Sequence, residues 1–229
     1  MENINKTVIV CEAIGHWYAK GADRLEKSLN YHGYAGQTLI WKDEYPPNSP
    51  SHNDNPYAFK IYGIREAINR GFKTILQIDS SFWCIKNPHP IFDIIVENGI
   101  FVFRSGYNCA QTAPDNLLAD VGITRDEAEK IPETATGIVG LHLDNPDAQK
   151  VWEYWADFCD RGLFKNSRHH DLNDSKDPRF LHGRQDQVAF SMALYKAGVE
   201  FNYLDYVSYY DHANPLKNSD KVYFFIGGL

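Results

Sequence analysis

Three small oxygen-bearing residues follow an apolar segment in the first half of the chain. The segment 73–78 reads Lys-Thr-Ile-Leu-Gln-Ile, and Asp79, Ser80 and Ser81 come directly after it. An apolar run rich in β-branched residues predicts a buried strand. Because ligands of open α/β sheets bind beyond the carboxyl ends of the strands, Asp79 is placed where a ligand would lie. A carboxylate beside hydroxyls suits a hard divalent cation and a diphosphate.

A second polar segment, 181–190, reads Leu-His-Gly-Arg-Gln-Asp-Gln-Val-Ala-Phe. Asp186 and Gln187 stand at a predicted helix start, and His182 and Arg184 come just before them. A helix N-terminus favours negative charge and can present a carboxylate to a ligand. The ordinary alternatives are that Asp186 only caps the helix and that Asp79 with its two serines only forms a turn.

Strands and helices alternate along the chain, which predicts an α/β fold with a mostly parallel sheet and helices on both faces. One short helix, announced by a capping box at Thr124 and Glu127, is expected within 106–132. The segments 43–55 and 161–182 are polar and predict long loops, the second a lid or acceptor-recognition element. No repeat or convincing linker divides the chain, so residues 1–229 are expected to form a single domain. Strands are predicted at 7–11, 38–41, 73–78, 100–103 and 136–143, and the main helices at 22–29, 57–68, 88–98, 145–159 and 186–197.

The composition excludes several classes of function. The chain has 229 residues, 43% of them hydrophobic, and a net charge of −7, which argues against a nucleic-acid or anionic-membrane partner. No apolar run approaches the ~20 residues of a transmembrane helix. The four cysteines are widely spaced without a C-x-x-C pair, and Cys11 and Cys84 lie in apolar runs as expected of buried free thiols. These features predict a cytoplasmic protein.

The order and spacing of three segments resemble the GT-A family of nucleotide-sugar glycosyltransferases over roughly residues 7–200. Asp79-Ser80-Ser81 resembles the Asp-x-Asp motif of that family, with Ser81 where the second aspartate usually stands. Asp186-Gln187 resembles the "DQ" segment. Residues 133–143, with Thr134 and Thr136 followed by glycine and an apolar run, resemble the segment that lines the donor-sugar pocket, although the asparagine that many members carry near Thr134 is missing.

The resemblance implies a GT-A (Rossmann-like) domain that transfers a sugar from a UDP- or GDP-sugar donor to a glycan or another hydroxyl acceptor. It also implies Mn²⁺ or Mg²⁺, held by Asp79 with help from Ser81 and from His212 as a late histidine ligand. If the enzyme inverts the anomeric centre, Asp186 is the candidate base. If it retains the configuration, Asp186 and Gln187 would stabilise the far face of the sugar.

The remaining donor contacts are expected around the same edge. Tyr18 or its neighbour Trp17 is a candidate to stack on the base. Lys60 lies off the apolar stripe of its helix, so we expect it at an edge, where it would reach a phosphate or be solvated. Further donor contacts by the same resemblance are Glu12, Ala13, Ser80, Thr134, Thr136, His182 and Arg184.

Two other functions stay open on the sequence. A nucleotidyltransferase that makes sugar nucleotides has a related fold, but its glycine-rich and basic signature is missing from residues 12–16. A non-catalytic nucleotide-sugar binding module would explain the missing second acidic residue. A zinc site at His169, His170 and Asp171 is disfavoured, because their spacing fits no helical H-x-x-x-H pair.

Overall fold

The computed structural model describes residues 6–165, 175–199, 207–209 and 220–227. The strands are β1 (Thr7–Ala13), β2 (Gln37–Lys42), β3 (Thr74–Ile78), β4 (Phe82–Cys84), β5 (Ile100–Asn108), β6 (Pro132–His142), β7 (Val207–Tyr209) and β8 (Phe224–Ile226). The helices are α1 (His16–Tyr31), α2 (Ala58–Asn69), α3 (His89–Asn98), α4 (Cys109–Thr112), α5 (Asp115–Val121), α6 (Arg125–Ala128), α7 (Pro146–Asp160) and α8 (Gln185–Ala197).

A five-stranded sheet in the order β2-β1-β3-β6-β5 forms the centre of the fold. β1 is parallel to both β2 and β3, whereas β6 runs antiparallel to β3 and β5. The other four strands therefore share one direction, which confirms the mostly parallel sheet. Since Val10 pairs with Gln77, the chain beyond this pair brings Glu12 and Asp79 to the same carboxyl edge. A smaller sheet has the order β4-β8-β7.

Apolar side chains pack on both faces of the central sheet. Val8 and Val10 of β1 join a cluster that includes residues of α2, α7 and α8. Ile9 and Cys11, which alternate with them, join a cluster that includes residues of α1 and α3. Strand residues alternate between the two faces of a sheet, so a strand covered on both sides is apolar throughout. The predicted helices on both faces are confirmed.

The segment 106–132 differs from its prediction. The capping box of Thr124 and Glu127 is present and starts α6. Two further short helices, α4 and α5, precede it, so the expectation of a single helix is wrong. For α4 the physical reason is a second capping box, in which Asn108 and Gln111 satisfy each other's backbone N–H groups, whereas α5 begins after Pro114 without a side-chain cap.

Other features agree with the sequence or lie outside the described ranges. The segment between β2 and α2 contains no helix or strand, as predicted. Cys11, Cys84, Cys109 and Cys159 are all buried free thiols. None of the helices within the described ranges is long and apolar enough to cross a bilayer. His212 and the segment 169–171 lie outside the described residues.

Candidate active site

A buried lysine joins two carboxylates at the carboxyl edge of the sheet. Lys60, in the first turn of α2, is only 3% exposed. Its Nζ lies 3.0 Å from Asp79 Oδ1, 3.0 Å from Asp186 Oδ2 and 3.1 Å from the carbonyl oxygen of Thr136. These three acceptors match the three N–H donors of an ammonium group. A buried charge is tolerated when it is paired and hydrogen-bonded in this way.

This placement corrects the expectation of a solvated lysine at an edge. Lys60 is off the apolar stripe, as the spacing indicated, but its side chain points inward to the two carboxylates. Burial alone would lower the pKa of Lys60, and the charges of Asp186 and Asp79 outweigh that effect and raise the pKa above its ordinary value. The lysine therefore stays charged, and its hydrogen-bonding capacity is used within the protein.

Asp186 does more than cap its helix. Arg184 holds the N-cap position of α8, and no side chain caps the helix there. Asp186 Oδ2 accepts a hydrogen bond of 2.7 Å from Thr136 Oγ1 and faces Lys60. Trp155 Nε1 donates to the Asp186 carbonyl oxygen at 3.1 Å and ties the start of α8 to α7. The capping alternative is wrong because the carboxylate turns toward the sheet edge.

A third carboxyl group lies next to this network. Gln77 Nε2 lies 3.3 Å from Asp79 Oδ1 and 3.5 Å from Glu12 Oε2. Glu12 is 6% exposed, and burial raises its pKa well above the ordinary value. A Cβ added at Gly63 would lie 1.7 Å from Glu12 Oε1, so the absence of a side chain in α2 makes room for the carboxyl group.

Two cavities meet at Lys60. The larger has a volume of about 470 Å³ and the smaller about 170 Å³, and both are lined by Tyr57, Lys60 and Asp79. Glu12, Ile14, Tyr18, His52, Phe59, Ser80 and Ser81 complete the lining of the larger cavity. Thr136, Gly137, Arg184, Gln185, Asp186 and Gln187 complete the lining of the smaller cavity.

Sequence reasoning missed His52, which lines the larger cavity, and Tyr57, which lines both cavities. Tyr57 has φ +60°, a left-handed conformation that is strained for a residue with a side chain. Its backbone N–H donates to His52 Nδ1 at 3.4 Å, and the two rings meet edge to face. His52 belongs to the segment 43–55, whose length was the one signal that it has a function. Tyr57 was hidden because its position also fits the apolar stripe of α2.

Most of the predicted site residues converge on the two cavities, but a few lie elsewhere. Ala13 and Thr134 have no exposed surface, and Thr134 Oγ1 lies 3.0 Å from Ser191 Oγ in the interior. The ring of His182 packs edge to face against Tyr107 and is not among the lining residues. Trp17 is 64% exposed and outside the lining, whereas its neighbour Tyr18 forms part of the larger cavity.

The oxygen donors suit a cation that is shared with a ligand. Asp79 Oδ1 faces Lys60 and Gln77, while 35% of the Asp79 side chain stays exposed. Ser81 lines the same cavity. Within the described ranges no group of three or more His, Cys, Asp or Glu side chains is placed to hold a metal. Mg²⁺ commonly binds through one or two carboxylates and substrate phosphates, and this donor set fits that mode.

Comparisons with known proteins establish the fold. No protein-family model matches the sequence, and no curated protein matches it significantly. The apo structure of the bifunctional glycosyltransferase WbbM is similar, with a TM-score of 0.52 and 14% identity, over 91% of this chain and 40% of WbbM. Apo mouse xyloside xylosyltransferase 1 has a TM-score of 0.52 and 11% identity, over 96% of this chain and 97% of that protein. The chain therefore has the GT-A glycosyltransferase fold, as its sequence predicts.

Proposed function

We propose that this protein is a glycosyltransferase that moves a sugar from a nucleoside-diphosphate donor to a hydroxyl acceptor. One observation carries the proposal: Asp79, at the end of β3, and Asp186, at the start of α8, meet through the buried Lys60 where two cavities join. The large cavity suits the nucleotide and the small one the sugar. The bond to be broken, between the sugar and the diphosphate, would then lie beside Asp79.

The chemistry follows from this placement. The bond between the anomeric carbon and the diphosphate oxygen breaks, a bond to the acceptor oxygen forms, and the acceptor's proton passes to the departing diphosphate. Positive charge develops on the sugar between the breaking and the forming of its two bonds. Asp186 and Gln187 line the cavity assigned to the sugar, so a carboxylate lies near that charge. Fixed charges that match the transition state are a large source of rate enhancement.

The contacts of Asp186 favour an electrostatic role over that of a base. Its Oδ2 is paired with Lys60 and accepts a hydrogen bond from Thr136. Both interactions stabilise the anion, and both would weaken if Asp186 took the acceptor's proton. We therefore assign to Asp186 the stabilisation of the sugar cation, with the Gln187 amide beside it.

A divalent cation, Mn²⁺ or Mg²⁺, belongs to the proposal. Asp79 would hold it, with Ser81 beside it, and His212 is a further candidate outside the described residues. Such an ion would neutralise the charge that develops on the departing diphosphate. Replacing Ser81 by Asp should tighten the binding of manganese, since it adds an anionic ligand.

The compartment is also a proposal. Cys11, Cys84, Cys109 and Cys159 are buried and unpaired. Free thiols of this kind are typical of reducing compartments, so we assign the chain to the cytoplasm.

A panel of UDP- and GDP-sugars, with and without manganese, tests the function. Calorimetry measures donor binding, and mass spectrometry follows donor hydrolysis and transfer to a panel of glycan acceptors. We expect Asp79→Asn to weaken metal-dependent donor binding. Asp186→Asn should leave donor binding near normal and lower kcat by about 10²-fold or more.

Asp144→Asn is the matched control, because Asp144 is 57% exposed and 3.7 Å from Lys73 on the surface. It should leave both donor binding and turnover unchanged. Donor binding without any turnover would instead identify a binding module. Absence of binding across the whole panel would refute the proposal.

A further inference from the structure

A buried glutamate holds the side-chain amide at the wall of the smaller cavity. Gln187 lines this cavity, and its Nε2 donates a hydrogen bond of 2.7 Å to Glu133 Oε2. Glu133 belongs to β6 and has no exposed surface. It does not line either cavity, so it would act through Gln187.

The chemistry of the two groups determines which atom of the amide faces the cavity. An ionised carboxylate can only accept hydrogen bonds, whereas an amide carries donors on nitrogen and acceptors on oxygen. While Glu133 is ionised, the nitrogen of Gln187 must therefore point to it, and Oε1 is left on the other side. We infer that Glu133 is a positioning residue that turns the carbonyl oxygen of Gln187 toward the smaller cavity.

The consequence for catalysis rests on the proposed function. An amide oxygen carries partial negative charge and stabilises a sugar carbon that becomes positive, whereas an amide N–H in the same place would oppose that charge. The orientation of one side chain therefore decides whether Gln187 helps or hinders the reaction.

The protonation of Glu133 should control this orientation. Burial raises the pKa of Glu133. Hydrogen bonds with Ser105, Thr112 and Gln187 and the charge of Arg184 oppose that shift. The other titratable group beside it is the Cys109 thiol of α4, whose pKa burial raises so that it stays neutral. Below its pKa, Glu133 gains an O–H that can donate to Oε1 and allow the amide to turn round.

Two variants and one control separate this role from packing. Glu133→Gln keeps the shape but removes the charge that selects one orientation. Gln187→Glu removes the side-chain amide, so the signals that are missing from its NMR spectrum identify those of Gln187 in the native protein. Glu153→Gln is the matched control, because Glu153 accepts a hydrogen bond of 3.1 Å from Gln149 on the exposed face of α7.

The first readout needs no substrate. The side-chain ¹H–¹⁵N signals of Gln187 should shift with pH in the native protein, with a midpoint above the ordinary glutamate value of about 4.3. The shift should be lost in Glu133→Gln and kept in Glu153→Gln. Signals of Gln187 that do not move between about pH 4 and 8 in the native protein would overturn the inference, even if Glu133→Gln fails to fold.

The second readout is kinetic. With any donor that the native protein turns over, Glu133→Gln should lower kcat about tenfold, the effect of one lost hydrogen bond, while KM for the donor stays nearly constant. In the native protein kcat should fall at low pH as Glu133 becomes protonated, and this acid limb of the pH profile should be absent in Glu133→Gln. Native kcat with an unchanged acid limb would contradict the inference. If the native protein turns over no donor, the proposed function fails, and the NMR titration still decides whether Glu133 orients Gln187.

Discussion

Replacing Lys60 by methionine tests the network on which the site depends. Methionine keeps most of the length and apolar surface of lysine but removes the ammonium group. Asp79 Oδ1 and Asp186 Oδ2 would each lose a partner at 3.0 Å, and the Thr136 carbonyl oxygen would lose one at 3.1 Å. Two carboxylates would then share one site without a balancing positive charge.

The expected loss of stability is set by how deeply each carboxylate is buried. Removing one partner of a buried ion pair costs ~3–5 kcal/mol, mainly because the other charge is left uncompensated. The Asp186 side chain is 6% exposed and takes the full penalty, whereas Asp79 is 35% exposed and keeps some of its hydration. We therefore expect the lower end of the range, ~3 kcal/mol, which is ~6–12 °C in Tm for a chain of this size.

The pH dependence adds an independent check. A proton on Asp79 can replace the missing ammonium, because burial already raises the pKa of this carboxyl group in the native protein. In Lys60→Met the folded-state pKa of Asp79 should therefore lie further above the ordinary Asp value of about 3.9. Acids with raised pKa values favour folding at low pH and lose that contribution as pH rises through the folded-state pKa. The destabilisation should thus be smaller at about pH 5 than at about pH 7.

Urea unfolding of the native protein and Lys60→Met at both pH values gives the measurement. Lys73→Met is the control, because Lys73 and Asp144 form a surface pair that is about half exposed on each side, and such pairs are worth about 0–1 kcal/mol. If Lys60→Met loses no more than Lys73→Met, or loses equally at both pH values, the ion network does not stabilise the fold as described.

Two further predictions concern Glu12 and its neighbour. Burial raises the pKa of Glu12, so its contribution to stability is present below about pH 4.3 and is lost as pH rises through the folded-state pKa. Glu12→Gln should therefore flatten the fall of the unfolding free energy with rising pH. An unchanged slope, measured by urea unfolding at several pH values, would contradict this prediction. Gly63→Ala should destabilise the protein by ~1–3 kcal/mol, because the new Cβ would lie 1.7 Å from Glu12 Oε1. Adding Glu12→Ala to the same chain should recover much of this loss in a double-mutant cycle. A Gly63→Ala variant as stable as the native protein would show that α2 does not need the glycine.

The fold could be predicted largely because its signals are local. The apolar runs that became β1 and β3, and the Asn145 cap that starts α7, are readable from a few neighbouring residues. The missed helices α4 and α5 are short, and short helices carry little periodicity. The start signal of α4, the pair Asn108 and Gln111, is the same type of capping box as the one that was read correctly at Thr124, whereas α5 has no side-chain cap.

The site was harder to predict because its geometry depends on contacts that are far apart in sequence. Asp79 and Asp186 were found as polar residues at element ends, a local signal. The burial of Lys60 was not readable, since a lysine in a first helical turn is usually solvated and only the fold brings it to Asp186. Glu133 was missed for the same reason: its partner Gln187 is 54 residues away, and nothing in the strand pattern marks it.

The balance of charge decides how the proposed donor would be held. Among the described residues that line the larger cavity, Lys60 is the one lysine or arginine, and both Asp79 and Asp186 already compete for its charge. Lys60 therefore has no free donor for a phosphate, which was one of the two roles that its position in the sequence left open. Over both cavities, the charges of Lys60 and Arg184 balance those of Asp79 and Asp186 when Glu12 is protonated, so the edge has no excess positive charge to offset a diphosphate. For the proposed reaction, this deficit favours a cation that arrives with the donor and binds at the exposed part of Asp79.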